Sequence, residues 1–75
     1  MRRKLTPRPW LTELREQKGM SVTDLAVAVD VTDIYIRYIE RGISRPSPSL
    51  AIRIGEALGL SETEALLKFY SRQSA

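Results

Sequence analysis

SVTDLAVAVDVTDIYIRYIERG, residues Ser21 to Gly42, is the stretch whose reading decides the fold. Leu25, Ala26 and Val29 recur at i, i+1 and i+4, which gathers them on one face of a helix. Ile36 and Ile39 recur at i and i+3 and give a second helix its own apolar face. Asp30, Val31 and Thr32 separate the two. Aspartate tolerates the left-handed backbone that a sharp corner between helices needs. Thr32 is placed to cap the helix that follows. Ser21, with Asp24 three residues on, is placed to cap the one before. Ala26 is small at the point where two helices joined this tightly have to cross.

Two short helices around such a corner make a helix-turn-helix, whose second helix is the one usually offered to a DNA major groove. Working outward, the chain before it predicts a helix over residues 9–18. Pro9 suits its first turn, Leu11 and Leu14 face inward, and Gly19 stops it. Met20 packs under the next corner. Beyond Gly42, a loop over 43–47 leads to a helix capped by Ser47 with Pro48 at its first position. That helix buries Leu50, Ile54, Ala57 and Leu58 and stops at Gly59. Gly55 in its middle costs about 1 kcal/mol against alanine, which points to a close helix crossing. Ser61 to Glu64 is a capping box, S-x-x-E, and opens a last helix that runs to Tyr70 or Ser71. The expectation is an all-α fold of five helices in one domain over 9–71. A flexible basic arm at 1–8 and a tail at 72–75 flank it.

Composition narrows the function. Seventy-five residues build one small core, and the chain holds neither cysteine nor histidine. That removes disulfides, thiolate metal sites and the commonest general base, so no metal, cofactor, small-molecule ligand or catalytic residue is expected. No apolar run approaches the ~20 residues of a membrane span, and no apolar segment follows the basic N-terminus as in a signal peptide. A cytoplasmic protein with no membrane partner is the default. Charge is unevenly placed. Arg2, Arg3, Lys4 and Arg8 lie in the first nine residues with no acid among them, while the rest of the chain is close to neutral. A basic arm on a neutral fold suggests a polyanion partner. The other reading is a solvated terminus that aids solubility.

The chain also resembles the Cro and phage-repressor group, the Xre-like helix-turn-helix proteins. The resemblance rests on LTELREQKGMS (Leu11 to Ser21), DLA (Asp24 to Ala26), IxxIERG (Ile36 to Gly42) and RPSPSLAIRIGEALGLS (Arg45 to Ser61), in that order and spacing. It implies a five-helix bundle of the lambda-repressor-like DNA-binding type. It also implies a dimeric, sequence-specific regulator of transcription, a small repressor above all, bound to double-stranded DNA through the helix at 33–41. On that resemblance Asp33, Ile34, Tyr35, Arg37 and Tyr38 face the bases. Thr23, Arg41, Ser44, Arg45 and Ser47 face phosphates, joined by Arg2, Arg3 and Lys4 of the arm. Arg15 and Glu40 form a buried structural ion pair. The sequence departs from the family pattern at Val22, where a glutamine is usual, and at Asp30, where a glycine is usual.

Two alternatives stay open at this level. The last helix carries Ala65, Leu66, Leu67, Phe69 and Tyr70, more apolar surface than one stripe needs. Leu67, Phe69 and Tyr70, with Trp10, are therefore the candidate dimer surface; Phe69 and Trp10 serve equally as the lid of a monomer core. The acidic and aromatic character of the helix at 33–41 also fits a protein-interaction module that keeps the fold without strong DNA binding.

Overall fold

The structure is a computed structural model that describes residues 6–70. Among these, five helices account for all regular structure: α1 (Pro9–Gln17), α2 (Val22–Val29), α3 (Asp33–Arg41), α4 (Pro48–Ala57) and α5 (Glu62–Tyr70). The helix starts follow the sequence expectation. The α1 and α4 ends fall one residue or so earlier, because Lys18 and Leu58 are C-caps rather than helical residues. The end of α5 beyond Tyr70, and the tail at 72–75, lie outside the described residues.

Four of the five helices begin where a side chain accepts from their free N–H groups, while α1 opens on Pro9 without a side-chain cap. Ser21 and Asp24 form a reciprocal capping box on α2. Ser61 and Glu64 do the same on α5. Thr32 accepts from the Tyr35 N–H at 3.1 Å and Ser47 from the Leu50 N–H at 3.2 Å. The stops are backbone devices. Asp30, the one non-glycine residue with positive φ among the described residues, sits at φ 61°, ψ 49° and closes α2. Its place is the corner on which the helix-turn-helix depends.

The core is built from Leu11, Leu25, Ile36, Ile39 and Ile54, all fully buried, with Ala26, Val29, Leu50, Ala51, Leu58, Ala65 and Phe69 around them. These residues come from all five helices, so the bundle has a single core. The closest approach lies between α4 and α5, where a Cβ placed on Gly55 would stand 2.5 Å from the Cβ of Ala65. Gly55 is there because nothing larger fits, as its cost to helix propensity suggested.

The arm expected over 1–8 needs correction at its inner end. Residues 1–5 lie outside the described residues, but Thr6 to Arg8 are docked. The Arg8 N–H donates to the Glu40 carbonyl at 2.8 Å. Its guanidinium Nη1 donates to the carbonyls of Ile39 at 2.7 Å and Ser44 at 3.1 Å, and stacks 5.5 Å from the Phe69 ring centre. Gly42 stands so close to the Thr6 backbone that any side chain there would collide with it. The reason is the end of α3, whose carbonyls need donors that the helix itself cannot supply. Arg8, fixed between two prolines, supplies them.

Candidate nucleic-acid interface

The presented helix is α3. Its back is locked: Ile36 and Ile39 are fully buried, and Tyr35 is half-buried against the core. Its front is free. Ile34 is 56% exposed and Tyr38 42%, and Arg37 and Arg41 are exposed beside them. Thr32 at the N-cap and Gly42 at the C-cap fix the ends of the helix. The corner at Asp30 fixes its angle to α2, because the Val31 N–H donates back to the Ala26 carbonyl at 3.0 Å.

Five residues were expected to face bases, and two of them behave differently. Tyr35 packs inward and is withdrawn from the exposed face, because its position turns it toward the side that Ile36 and Ile39 occupy. Asp33 is half-buried, and its carboxylate accepts from the Ile34 N–H at 2.9 Å, so it serves the first turn of its own helix. Ile34, Arg37 and Tyr38 remain as the exposed set.

Among the expected phosphate contacts, Thr23 is exposed on the first turn of α2, and Arg41 and Arg45 are exposed on and after α3. Arg45 also lies 5.7 Å from the Tyr70 ring centre. Ser44 is half-buried, with its carbonyl taken by Arg8, and Ser47 is engaged in capping α4. Arg2, Arg3 and Lys4 lie outside the described residues. An open groove of roughly 600 Å³ runs beside α3. Pro7 and Pro9 line it on one side, Val22 at the start of α2 on another, and Arg37 and Arg41 along α3. Among the described residues neither arginine forms an ion pair.

Behind the groove is the pair that the resemblance implied. The Arg15 Nε donates to Glu40 Oε2 at 2.7 Å, and its Nη2 to Oε1 at 3.3 Å. The Arg15 Nη1 donates to the Met20 carbonyl at 2.8 Å, and the Thr12 hydroxyl completes the cluster on Glu40 Oε1 at 2.9 Å. Arg15 is 8% exposed. The Glu40 hydrogen bond raises the Arg15 pKa above its ordinary value, against the opposing effect of burial. Burial lowers that of Arg8, and the neighbouring Arg45 adds to the effect.

Sequence reasoning missed Thr12 and Arg53, and it placed Arg8 in the basic arm without its structural role. The Arg53 Nη2 donates to the Val29 carbonyl at 2.5 Å, tying α4 to the end of α2 beside the corner. Of the three, only Arg8 had a readable signal, a cation held between Pro7 and Pro9. The dimer candidates also need correction. Phe69 is 6% exposed and meets Trp10 edge-on, ring centres 5.0 Å apart. The Tyr70 hydroxyl donates to the Pro46 carbonyl. These three close the core of their own chain, which leaves Leu67, 59% exposed, as the free apolar residue of α5.

A compact helical core that holds one helix with its outer face bare defines a class, the helix-turn-helix proteins. Residues 11–64 match the helix-turn-helix family model, and the chain belongs to that family, in its Cro and phage-repressor branch. It is 36% identical over 56 residues to YqaF of Bacillus subtilis, an uncharacterised HTH-type transcriptional regulator, a match that covers 75% of this chain and 74% of that one. Two crystal structures of the clp gene regulator ClgR from Corynebacterium glutamicum are similar in fold. One has a TM-score of 0.69 at 33% identity, over 77% of this chain and 62% of that one. The other has a TM-score of 0.70 at 30% identity, over 85% and 82%. A helix-turn-helix family transcriptional regulator from Vibrio cholerae has a TM-score of 0.67 at 27% identity, over 79% of this chain. This chain spans 33% of the Vibrio protein, and less than two thirds of the first ClgR chain.

Proposed function

We propose that the protein is a sequence-specific DNA-binding regulator of transcription, acting as a small dimeric repressor. The observation that carries this reading is the division of α3. Its inner residues are committed to the core, while Ile34, Arg37, Tyr38 and Arg41 stand free on its outer face. Arg37 and Arg41, in no ion pair among the described residues, line the groove and suit a phosphate backbone, which supplies much of the affinity of such complexes. The names of the relatives, two transcriptional regulators and a clp gene regulator, support the same reading. A two-fold pair would place two α3 helices about 34 Å apart, on half-sites one helical turn apart. Such a ligand also implies a cytoplasmic location.

Leu67 alone is a small surface for a stable dimer. Pairing is therefore expected on DNA, not in free solution. The test is selection of bound duplexes from a random pool, followed by titration at two salt concentrations and sedimentation with and without the selected site. A monomer off DNA, and two chains on a two-half-site duplex, are the expected results. The competing reading is a protein-interaction module, favoured by the apolar Ile34, Tyr38 and Ile43 on the exposed side. Absence of any duplex binding at low salt would hand the case to it.

A further inference from the structure

We infer that α3 reads the 5-methyl groups of pyrimidines in the major groove, thymine above all, through Ile34 and Tyr38. The inference rests on the DNA-binding reading and names what the helix recognises. Its ground is what the outer face of α3 offers. Ile34 in the first turn and Tyr38 one turn on are the large apolar groups there, 56% and 42% exposed. They stand at i and i+4, on one side of the helix. The sequence of α3, DIYIRYIER, contains no Asn, Gln, Ser, Thr or Lys.

The polar side chains near its start each hold a backbone N–H of the helix. The Asp33 carboxylate accepts from the Ile34 N–H, and the Thr32 hydroxyl oxygen accepts from the Tyr35 N–H. Tyr35 is packed on the core. Arg37 and Arg41 line the groove with Pro7 and Val22, where a phosphate suits them. The apolar groups that this face offers to the bases are therefore an aliphatic branch and an aromatic ring that ends in a hydroxyl. In the major groove the one apolar feature of the four ordinary base pairs is the thymine methyl. Burying Ile34 on it removes apolar surface from water on both partners. Facing cytosine N4 or adenine N6 instead, the same side chain would strip water from a polar group and return nothing. Charge complementarity fixes the class of occupant: Arg37 and Arg41, in no ion pair among the described residues, lie along one side of the apolar pair, which fits a polyanion that carries methyl groups. 5-Methylcytosine presents the same methyl and is the second member of the class.

The experiment uses the full chain and a fluorescent duplex chosen from a random pool. Thymines in each half-site are replaced one at a time by deoxyuridine, which removes the methyl and leaves the pairing edge intact. One or two positions per half-site should lose about four-fold in affinity, the worth of one methyl-sized group returned to water. At those positions, 5-methylcytosine paired with guanine should bind more tightly than cytosine paired with guanine. Ile34→Ala should abolish the difference between thymine and deoxyuridine at one of those positions, and Tyr38→Ala at the other where there are two. Because Ile34 is exposed, its circular dichroism and melting should match the parent chain. Specific binding that ignores every deoxyuridine, or a deoxyuridine penalty that survives both Ile34→Ala and Tyr38→Ala, overturns the inference and leaves the DNA-binding reading standing. Failure to bind any duplex at low salt overturns both.

Discussion

At the scale of single residues, the fold turns on two cations, Arg15 and Arg8, that are held by acceptors of the chain itself. Arg15 and Glu40 were legible as a pair only through the resemblance, because nothing in their spacing says that helices α1 and α3 meet there. Thr12 was not legible at all, since an exposed-looking threonine on a short helix carries no signal. Arg15→Met should leave the Glu40 carboxylate and the Met20 carbonyl without their donor in a largely buried site. The expected loss is about 3 kcal/mol. In a Glu40→Gln background the same substitution should cost clearly less, because the stranded charge is gone. Denaturant melts of the four chains measure this, and additive losses would mean the pair is not coupled. Arg8 is a second case. Its guanidinium donates to the Ile39 carbonyl in the last turn of α3 and to the Ser44 carbonyl in the loop beyond it. Arg8→Ala should therefore lower stability by about 1.5–3 kcal/mol, the range for hydrogen bonds from a charged group. Removal of residues 1–5, which leaves these contacts in place, should not lower the melting temperature. Equal effects of the two changes would show that the docking contributes nothing.

At the scale of helices, the sequence was most informative about beginnings and corners. Ser, Thr and Asp at the caps, glycine after the ends, and Asp30 at the turn each have a local physical reason, so each could be read without knowing the fold. The inward packing of Tyr35 was within reach of helical spacing, since it lies beside Ile36 and Ile39 on the helix, whereas the lid made by Trp10 and Phe69 stayed one of two open readings, because choosing it depends on how α5 lies against the other helices. Gly55 lies between these cases: its misfit in a helix was visible, and its neighbour was not. Gly55→Ala gains about 1 kcal/mol of helix propensity. It also drives a Cβ to 2.5 Å from that of Ala65, in a core where overpacking costs about 1–3 kcal/mol. The net effect should be destabilising. Adding Ala65→Gly should recover part of the loss by moving the methyl across the contact; a double variant no better than Gly55→Ala would refute the crossing.

The capping boxes make a separate prediction about pH. Hydrogen bonds from the Ser21 backbone and side chain hold the Asp24 carboxyl below its ordinary pKa, and Ser61 does the same for Glu64, with Lys68 adding a little. The folded values are the lower ones, so the unfolded chain takes up these protons first. The stabilisation is complete above the ordinary carboxylate pKa of about 4 and is lost as the pH falls through the folded values. Stability should decline in that acid range, and less steeply in an Asp24→Asn, Glu64→Gln chain. Identical acid profiles for the two chains would rule out the boxes as its source.

At the scale of the whole molecule, charge is divided between a neutral body and a short basic segment. Arg2, Arg3 and Lys4 carry as much charge as the whole chain's net +3. Within the body, Arg15 is taken by Glu40 and Arg8 by backbone carbonyls, which leaves Arg37, Arg41 and Arg45 on the presented side. The salt dependence of DNA binding should resolve these groups. Each cation that neutralises a phosphate adds about 0.9 to the slope of log affinity against log salt. Arg41→Ala should reduce the slope by about one unit and weaken binding to all sequences alike. Deletion of residues 1–5 should reduce it by up to about three units through the loss of Arg2, Arg3 and Lys4. Arg8→Ala should lower the melting temperature and, measured well below it, leave the slope unchanged. Ile34→Ala should leave the slope unchanged as well, while altering which base pairs are preferred. Titrations of the selected duplex and a scrambled one at several salt concentrations give all four values. A slope unaffected by deletion of 1–5 would confine the phosphate contacts to the folded body. A slope unaffected by both that deletion and Arg41→Ala would remove the electrostatic basis for DNA binding, and the exposed face of α3 would then have to be matched to a protein partner.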